Sequence, residues 1–272
     1  MNQTERQSAR QTEEWQAILA SYRSKSIMTG TIAGIDTIQM DGREVHCLVV
    51  IPYRVKILIP ETEVWYDENS NRPLYVMRSM TGATTDFVVT GVDQEGECCV
   101  ASRRMALLIR RLSFQRRAAE GQTVDAHMMA VGRTHLLAEC GGYDVTLSQR
   151  DLVYNMVPDL RDKFRPGEVR RALIKAYNPE TDSLKISVKE TEPHPYDGAQ
   201  IRHPIGSRRA SMITGKYQGG VFCRLDDFID CLCIYSRRQY DQDFHVGDPV
   251  IVMVTKYDDA RKRIYGRIVS KW

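Results

Sequence analysis

The sequence has little net charge, no long apolar run and no regular cysteine spacing, and each shortage excludes something. Lys and Arg number 38 against 35 Asp and Glu, a net charge of +3, so a surface for a polyanion has to come from local clustering. No apolar run approaches the roughly 18 residues that a membrane-spanning helix needs. The opening Met1-Asn2-Gln3-Thr4-Glu5-Arg6 has no basic stretch leading into an apolar one. The expectation is a cytoplasmic protein with no membrane partner. Seven cysteines lack the spacing of a disulfide framework, and the closest groupings, Cys98-Cys99 and Cys231-Leu232-Cys233, do not supply the ligand pairs of a zinc site. Residues two apart on a strand share a face, so Cys231 and Cys233 read as small buried hydrophobes.

Catalytic patterns are missing too. The chain has no G-x-S-x-G, no G-x-x-x-x-G-K-[ST] and no H-E-x-x-H, and its six histidines are scattered singly. The carboxylate pairs Asp226-Asp227 and Asp258-Asp259 fall in turn-like contexts, where Asp suits the backbone geometry. No enzyme and no cofactor is expected. What remains is a 272-residue chain, 42% hydrophobic, long enough for two or three small cored domains.

Periodicity divides the chain. Residues 13–22 carry Trp15, Ile18, Leu19 and Tyr22 on one helical stripe, which needs a surface to dock on. From residue 26 the pattern becomes short β-branched and apolar stretches broken by Gly, Asp and Asn: 27–32, 45–51, 55–59, 86–92 and 98–101. A second helix is expected over about 102–119, with Met105, Leu108, Ile109 and Leu112 on one face and six arginines around the rest. Strands then resume, and the breaker-rich stretch from Glu192 through Gly198 to Gly206 reads as a linker.

The chain also repeats itself. At an offset of 80, Gly167 aligns with Gly247, Ile174 with Val254, Asn178 with Asp258 and Leu184 with Ile264; at an offset of 85, Gly82 aligns with Gly167, Val89 with Ile174 and Asp93 with Asn178. Each unit ends in a glycine turn, a strand, an Asp/Asn turn and a final strand. A period near 80 residues suits small β-barrels that fold independently.

Several pieces are specific. They are Gly30-Thr31-Ile32-Ala33-Gly34-Ile35, Ile57-Leu58-Ile59-Pro60-Glu61-Thr62-Glu63-Val64, Leu184-Lys185-Ile186-Ser187-Val188-Lys189-Glu190 and Phe244-His245-Val246-Gly247-Asp248-Pro249-Val250. On these the chain resembles the ribosomal protein S-one type RNA-binding repeat, a five-stranded oligonucleotide/oligosaccharide-binding (OB) barrel. The fold class implied is mainly β: three tandem barrels at 24–103, 119–192 and 204–272, an N-terminal helical extension at 1–23, an Arg-rich linker helix at 104–118 and a Pro-rich linker at 193–203. The resemblance implies single-stranded RNA, messenger or ribosomal, as partner. In the family, aromatic side chains stack on bases, and the family's final hairpin carries an Asp…Arg pair, which Asp258 with Arg261 or Lys262 resembles. The second strands of the first two units, Val45-His46-Cys47-Leu48-Val49 and Arg133-Thr134-His135-Leu136-Leu137, carry no aromatic ring, so base stacking is expected to be weak there.

Charge separates the units further. Residues 24–101 carry a net −5, 102–120 a net +5, 121–197 a net −2 and 198–272 a net +5. Because affinity for polyphosphate comes largely from counterion release by Lys and Arg, the third barrel is the expected RNA surface. The residues chosen there are Tyr217 and Phe222 for stacking, Arg224 and Lys256 for phosphates, and Tyr235, Arg237, Arg238, Asp258, Arg261 and Lys262 around them. Residues 1–101 are assigned to docking on protein or on the small ribosomal subunit. The strip Arg103, Arg104, Arg110, Arg111, Arg116 and Arg117 has two readings: a helix whose arginines pair with the acidic barrels beside it, which is favoured, or a secondary RNA contact. The competing function is an adaptor that keeps OB barrels for protein contacts in a bacterial or viral assembly.

Overall fold

The structure is a computed structural model that describes residues 3–40, 42–52, 55–67, 72–155, 157–225, 229–237 and 239–271. The chain divides into two compact units, one formed by Met1–Val153 with Val157–Thr191 and the other by Glu192–Trp272 with Tyr154–Met156. Among the described residues, no helix is long and apolar enough to cross a membrane.

The first unit opens with helix α1 (Gln3–Ser24). Its stripe is used at once within the unit: Ile18 is fully buried in the core of the first barrel, Trp15 packs against the same cluster, and the Ser21 hydroxyl accepts a hydrogen bond from the Val89 amide. Burying a side chain such as Ile18 contributes about 1.5–3 kcal/mol. The surface that this helix was expected to seek is therefore the neighbouring barrel.

That barrel contains β1 (Met28–Met40), β2 (Arg43–Val50), β3 (Lys56–Pro60), the short helix α2 (Leu74–Arg78), β4 (Thr84–Asp93) and β5 (Cys98–Ser102). Its strand order is β1-β2-β3-β5-β4, closed, with β3 and β5 parallel. Closure depends on β1, which pairs with β4 over Met28–Thr31 and with β2 from Ile32 onward across a bulge between Ile32 and Gly34. An extra residue at a bulge bends a strand and raises its twist. Gly30 lies at the bend, where a Cβ would sit 2.6 Å from the Val50 side chain.

Helix α3 (Arg103–Gln115) follows and is capped by the Ser102 hydroxyl, which accepts from the Met105 amide at 3.0 Å. It leads to the second sheet: β6 (Thr123–Val131), β7 (His135–Cys140), β8 (Tyr143–Ser148), the short helix α4 (Gln149–Leu152), β9 (Val169–Asn178) and β10 (Ser183–Ser187). The order β10-β9-β6-β7-β8 matches that of the first barrel, but no ladder joins β8 to β10. The second barrel is thus an open five-stranded sheet in the same strand order. Its interior is still filled, by Met128, Leu136, Ala138, Ile174 and Ile186 among others.

The second unit contains the short helix α5 (Ala199–Arg202) and a closed barrel of β11 (Arg208–Tyr217), β12 (Gly220–Arg224), β13 (Asp230–Ile234), β14 (Pro249–Asp258) and β15 (Arg263–Lys271), in the order β11-β12-β13-β15-β14. The stretch read as a linker packs onto it: Tyr196 and Ala199 join the barrel core, and the Tyr257 hydroxyl donates to the carbonyls of Ala199 and His203. Prolines and glycines shape that segment without detaching it. Cys223, Cys231 and Cys233 face inward and are fully buried, as strand alternation implies.

The repeat seen in the sequence has a structural counterpart. Gly82, Gly167 and Gly247 adopt φ of +90°, +89° and +94°, a backbone region that favours glycine. Their amides donate to the carbonyls of Ile32, Met128 and Ile213, in each case the residue before the bulge in the first strand of that barrel. At the last hairpin, the Asp93, Asn178 and Asp258 side chains accept from amides two or three residues on. One set of backbone solutions therefore recurs three times, and the three barrels can be compared position by position.

Candidate nucleic-acid interface

In the third barrel, burial alternates along β12 and β13. Val221, Cys223, Cys231 and Cys233 point into the core, while Phe222, Arg224, Asp230 and Leu232 point outward and are half-buried. Register carries the outward set across the sheet: Gly215 pairs with Phe222, Phe222 with Leu232, Leu232 with Tyr265, and Tyr265 with Lys256. Direct partners share a face, so these side chains form one row. Two residues along β13 and β15 on the same face lie Ile234 and Arg267, themselves partners. Period two also puts Arg263 on that face.

The β11–β12 turn at Gln218 and Gly219 stands at one end of the face, since Tyr217 pairs with Gly220. The β14–β15 turn stands at the other, since β15 runs parallel to β13 from Cys231 and Ile264 onward. Such a face, apolar in the middle and flanked by cations and two loops, matches what a single strand needs: flat surfaces for bases and positive charge along the backbone.

Phe222 is outward, as expected, and the Tyr217 ring lies against it with centroids 5.1 Å apart. Tyr217 also donates to the Cys233 carbonyl at 3.4 Å, and burial pushes its phenol pKa up. It walls a cleft of about 660 Å3 with Lys216, Gln218, Gly219, Tyr235 and Asp241. Tyr235 stacks on buried Phe244 with centroids 5.3 Å apart and donates to Asp241, and burial followed by that hydrogen bond raises its pKa strongly. Asp241 is held below its ordinary value by the Tyr235 hydroxyl and by Lys216, so an anionic carboxylate occupies the rim beside the tyrosines.

Several cations are already engaged. Arg224 lies across from Asp230 at 3.1 Å, Lys216 from Asp241 at 3.2 Å and Lys262 from Asp197 at 3.2 Å. Lys256, Arg263, Arg267 and Arg237 are exposed, with no ion pair among the described residues. Arg238 lies outside the described residues, as do Asp226 and Asp227. Asp258 is a turn residue: its carboxylate accepts from the Arg261 amide at 3.1 Å, as the matching side chains do in the other repeats. Arg261 is exposed beside it.

The Arg-rich helix is consumed within its unit. Arg103 is 1% exposed; its guanidinium donates twice to Asp144, at 2.6 and 2.8 Å, and also to the Val64 carbonyl and the Thr85 hydroxyl. Arg111 is buried between the rings of Tyr66 and Tyr143, at 3.5 and 4.1 Å, and pairs with Asp182. Arg104 pairs with Glu63 and Arg110 with Asp86. Arg103 and Arg111 are therefore withdrawn from any RNA strip, since each carries its charge into a site built around it. Arg116 and Arg117 are exposed.

Two residues escaped the sequence reading. Leu232 and Tyr265 complete the outward row, and Tyr265 was legible in the alternation Arg263-Ile264-Tyr265-Gly266-Arg267, which puts a ring between two arginines on one face.

By topology and by this face, the chain is a tandem array of OB-type barrels. No protein-family model matches it. It is similar to small ribosomal subunit protein bS1 of Neisseria meningitidis serogroup B, 22% identical over 271 residues that cover 95% of this chain and 46% of that protein. Against bS1 of Rhizobium meliloti the identity is 22% over 274 residues, 95% of this chain and 45% of that protein. It is also 20% identical to 4-hydroxy-3-methylbut-2-enyl diphosphate reductase of Clostridium acetobutylicum, over 79% of this chain and 35% of that protein. The chain spans less than half the length of these relatives. Its repeats are similar in sequence to those of small ribosomal subunit protein bS1.

Proposed function

We propose that this chain is a non-catalytic, S1-like binder of single-stranded RNA whose main RNA surface is the outer face of the third barrel. The observation that supports this most is the row Phe222, Leu232 and Tyr265 ending at Lys256, with Arg263 and Arg267 on the same face. Phe222 and Tyr265 stack on bases, and Lys256, Arg263 and Arg267 follow the phosphates. Tyr217 supports the Phe222 ring from beside it, and Arg237 and Arg261 extend the positive surface. The similarity to bS1 supports messenger or ribosomal RNA as the partner class, the small ribosomal subunit as an associated assembly, and the cytoplasm as the location. Residues 1–101, acidic as a barrel, serve docking on protein rather than on RNA.

Fluorescence anisotropy with a labelled oligouridylate tests the reading on the whole chain. Phe222→Ala and Tyr265→Ala are each expected to weaken binding; unchanged affinity in both would overturn it. An adaptor role is the second reading. It is favoured by the faces of the first two barrels that correspond to this one, where Val49, Leu58 and Leu137 are buried. An absence of any RNA binding by the intact chain would select it.

A further inference from the structure

Where the first barrel meets the second within one compact unit, α2 and the β6–β7 hairpin enclose a cleft of about 530 Å3. That is within the usual range for a small-ligand site and large enough for one nucleotide. Its floor is apolar. Leu137, which pairs with Ala130 just past the bulge in β6, holds the place that Phe222 holds in the third barrel. It is 4% exposed because the first barrel's core cluster extends over it. The second barrel therefore lacks both a ring at this position and open access to the side chain that replaces it.

The walls of the cleft supply what its floor lacks. Tyr75, on α2 of the first barrel, lines it and is 68% exposed. Arg72, Arg133 and His135 line it as well, with the Thr146 hydroxyl opposite Leu137 across the strand pair. Among the described residues the lining contains no Asp or Glu, although the two segments that build it carry net charges of −5 and −2. The Arg72 guanidinium is held over the Trp65 ring at 4.9 Å. Arg133 donates through Nε to the Pro158 carbonyl, and the end of its fork has no partner among the described residues. Asp159, whose charge Arg133 feels, is itself gripped by Arg161 through both carboxylate oxygens. The larger groove along α3 differs in this respect, since Asp86, Asp125 and Glu139 line it together with Arg103, Arg110 and Arg171, and Asp86 and Asp125 are paired with Arg110 and Arg171.

We propose that this cleft is a second contact site for single-stranded RNA, taking one nucleotide of the strand. The Tyr75 ring stacks on the base, Arg72 and Arg133 hold the flanking phosphate, and His135 and Thr146 offer polar contacts to the sugar or base edge. The ring that the second barrel's own strand lacks is supplied by the first barrel. This rests on the RNA-binding reading above and adds to it a composite site outside the third barrel.

Photocrosslinking of the full chain to a 4-thiouridine-substituted oligouridylate, with mass mapping of the crosslinked peptides, tests the inference. Crosslinks are expected at residues 72–79 and 133–137 in addition to those in the third barrel. Tyr75→Ala should reduce the cleft set by about fivefold or more, the lower end of the range for base stacking, and leave the third-barrel set unchanged. Tyr75→Phe should keep both. Because Tyr75 is exposed and lies outside the core, the alanine variant retains the fold, which thermal unfolding checks directly. Crosslinks confined to the third barrel would overturn the cleft and leave the general reading intact. Crosslinks nowhere would overturn both.

Discussion

The third barrel and the first two share a backbone and differ in what they place on one outer face. After the bulge in the first strand, the matching rows are Phe222, Leu232 and Tyr265 in the third barrel and Val49, Leu58 and Val100 in the first. In the second barrel the corresponding positions hold Leu137 and Thr146. In the first barrel the face is closed by a satellite cluster of Cys47, Val49 and Leu58, with Ile38, Val45 and Cys98 against it. In the second, Leu137 is buried and Glu139 half-buried against neighbouring structure, and desolvation pushes the Glu139 carboxyl above its ordinary range. Among the described residues of this face, the third barrel alone keeps two outward rings beside exposed cations. Topology thus makes a site possible in each barrel, and a few outward side chains decide where one exists.

The comparison can be broken most severely at the junction of the first two barrels. Asp144→Ala leaves the Arg103 guanidinium buried without its carboxylate, and removing one partner of such a pair typically costs about 3–5 kcal/mol. The transition of the first unit is expected to fall sharply in thermal unfolding while the RNA affinity of the third barrel is retained. A shared loss of both would mean that the two units do not act independently.

Next in size are the rings. Phe222→Ala and Tyr265→Ala should each weaken oligonucleotide binding by about 1–3 kcal/mol, while Val49→Ala and Leu58→Ala, measured where the fold is intact, should leave affinity unchanged. Equal losses at both sets would erase the distinction between the barrels.

Charge gives a smaller effect with a clearer signature. Each phosphate contact contributes roughly 0.7 to the slope of log affinity against log salt for single strands. Arg263→Gln with Arg267→Gln is therefore expected to flatten that slope measurably. Arg110→Gln should do nothing to it, because Arg110 is occupied by Asp86 at 2.6 Å. Its effect on stability should stay below about 1 kcal/mol, as for other partly exposed pairs.

The positions legible in the sequence share a local cause. A glycine at positive φ, an Asp or Asn that caps a hairpin and a strand with period two all act within a few residues, so Gly82, Gly167 and Gly247 align the three barrels from their spacing alone. The outward placement of Phe222 follows from the same alternation. What is not legible depends on distant partners. Arg103 is a buried structural cation because Asp144 lies 41 residues away in sequence. The stripe of α1 closes onto β4, and Leu137 is covered by a different barrel. The missing ladder between β8 and β10 likewise belongs to the assembled sheet and to no single segment. Tyr265 is a different case: its alternation is local, but it lies on the last strand, and only the parallel pairing of β13 with β15 brings it beside Leu232 and into the row of Phe222.

The most direct test is amide chemical-shift mapping of the intact chain titrated with a short single-stranded oligouridylate. The account predicts that the largest third-barrel shifts fall on residues 215–224, 230–234 and 263–267, with residues 45–50 and 56–60 unmoved. Shifts concentrated on the first barrel, with the Phe222 to Tyr265 row silent at saturating RNA, would contradict it.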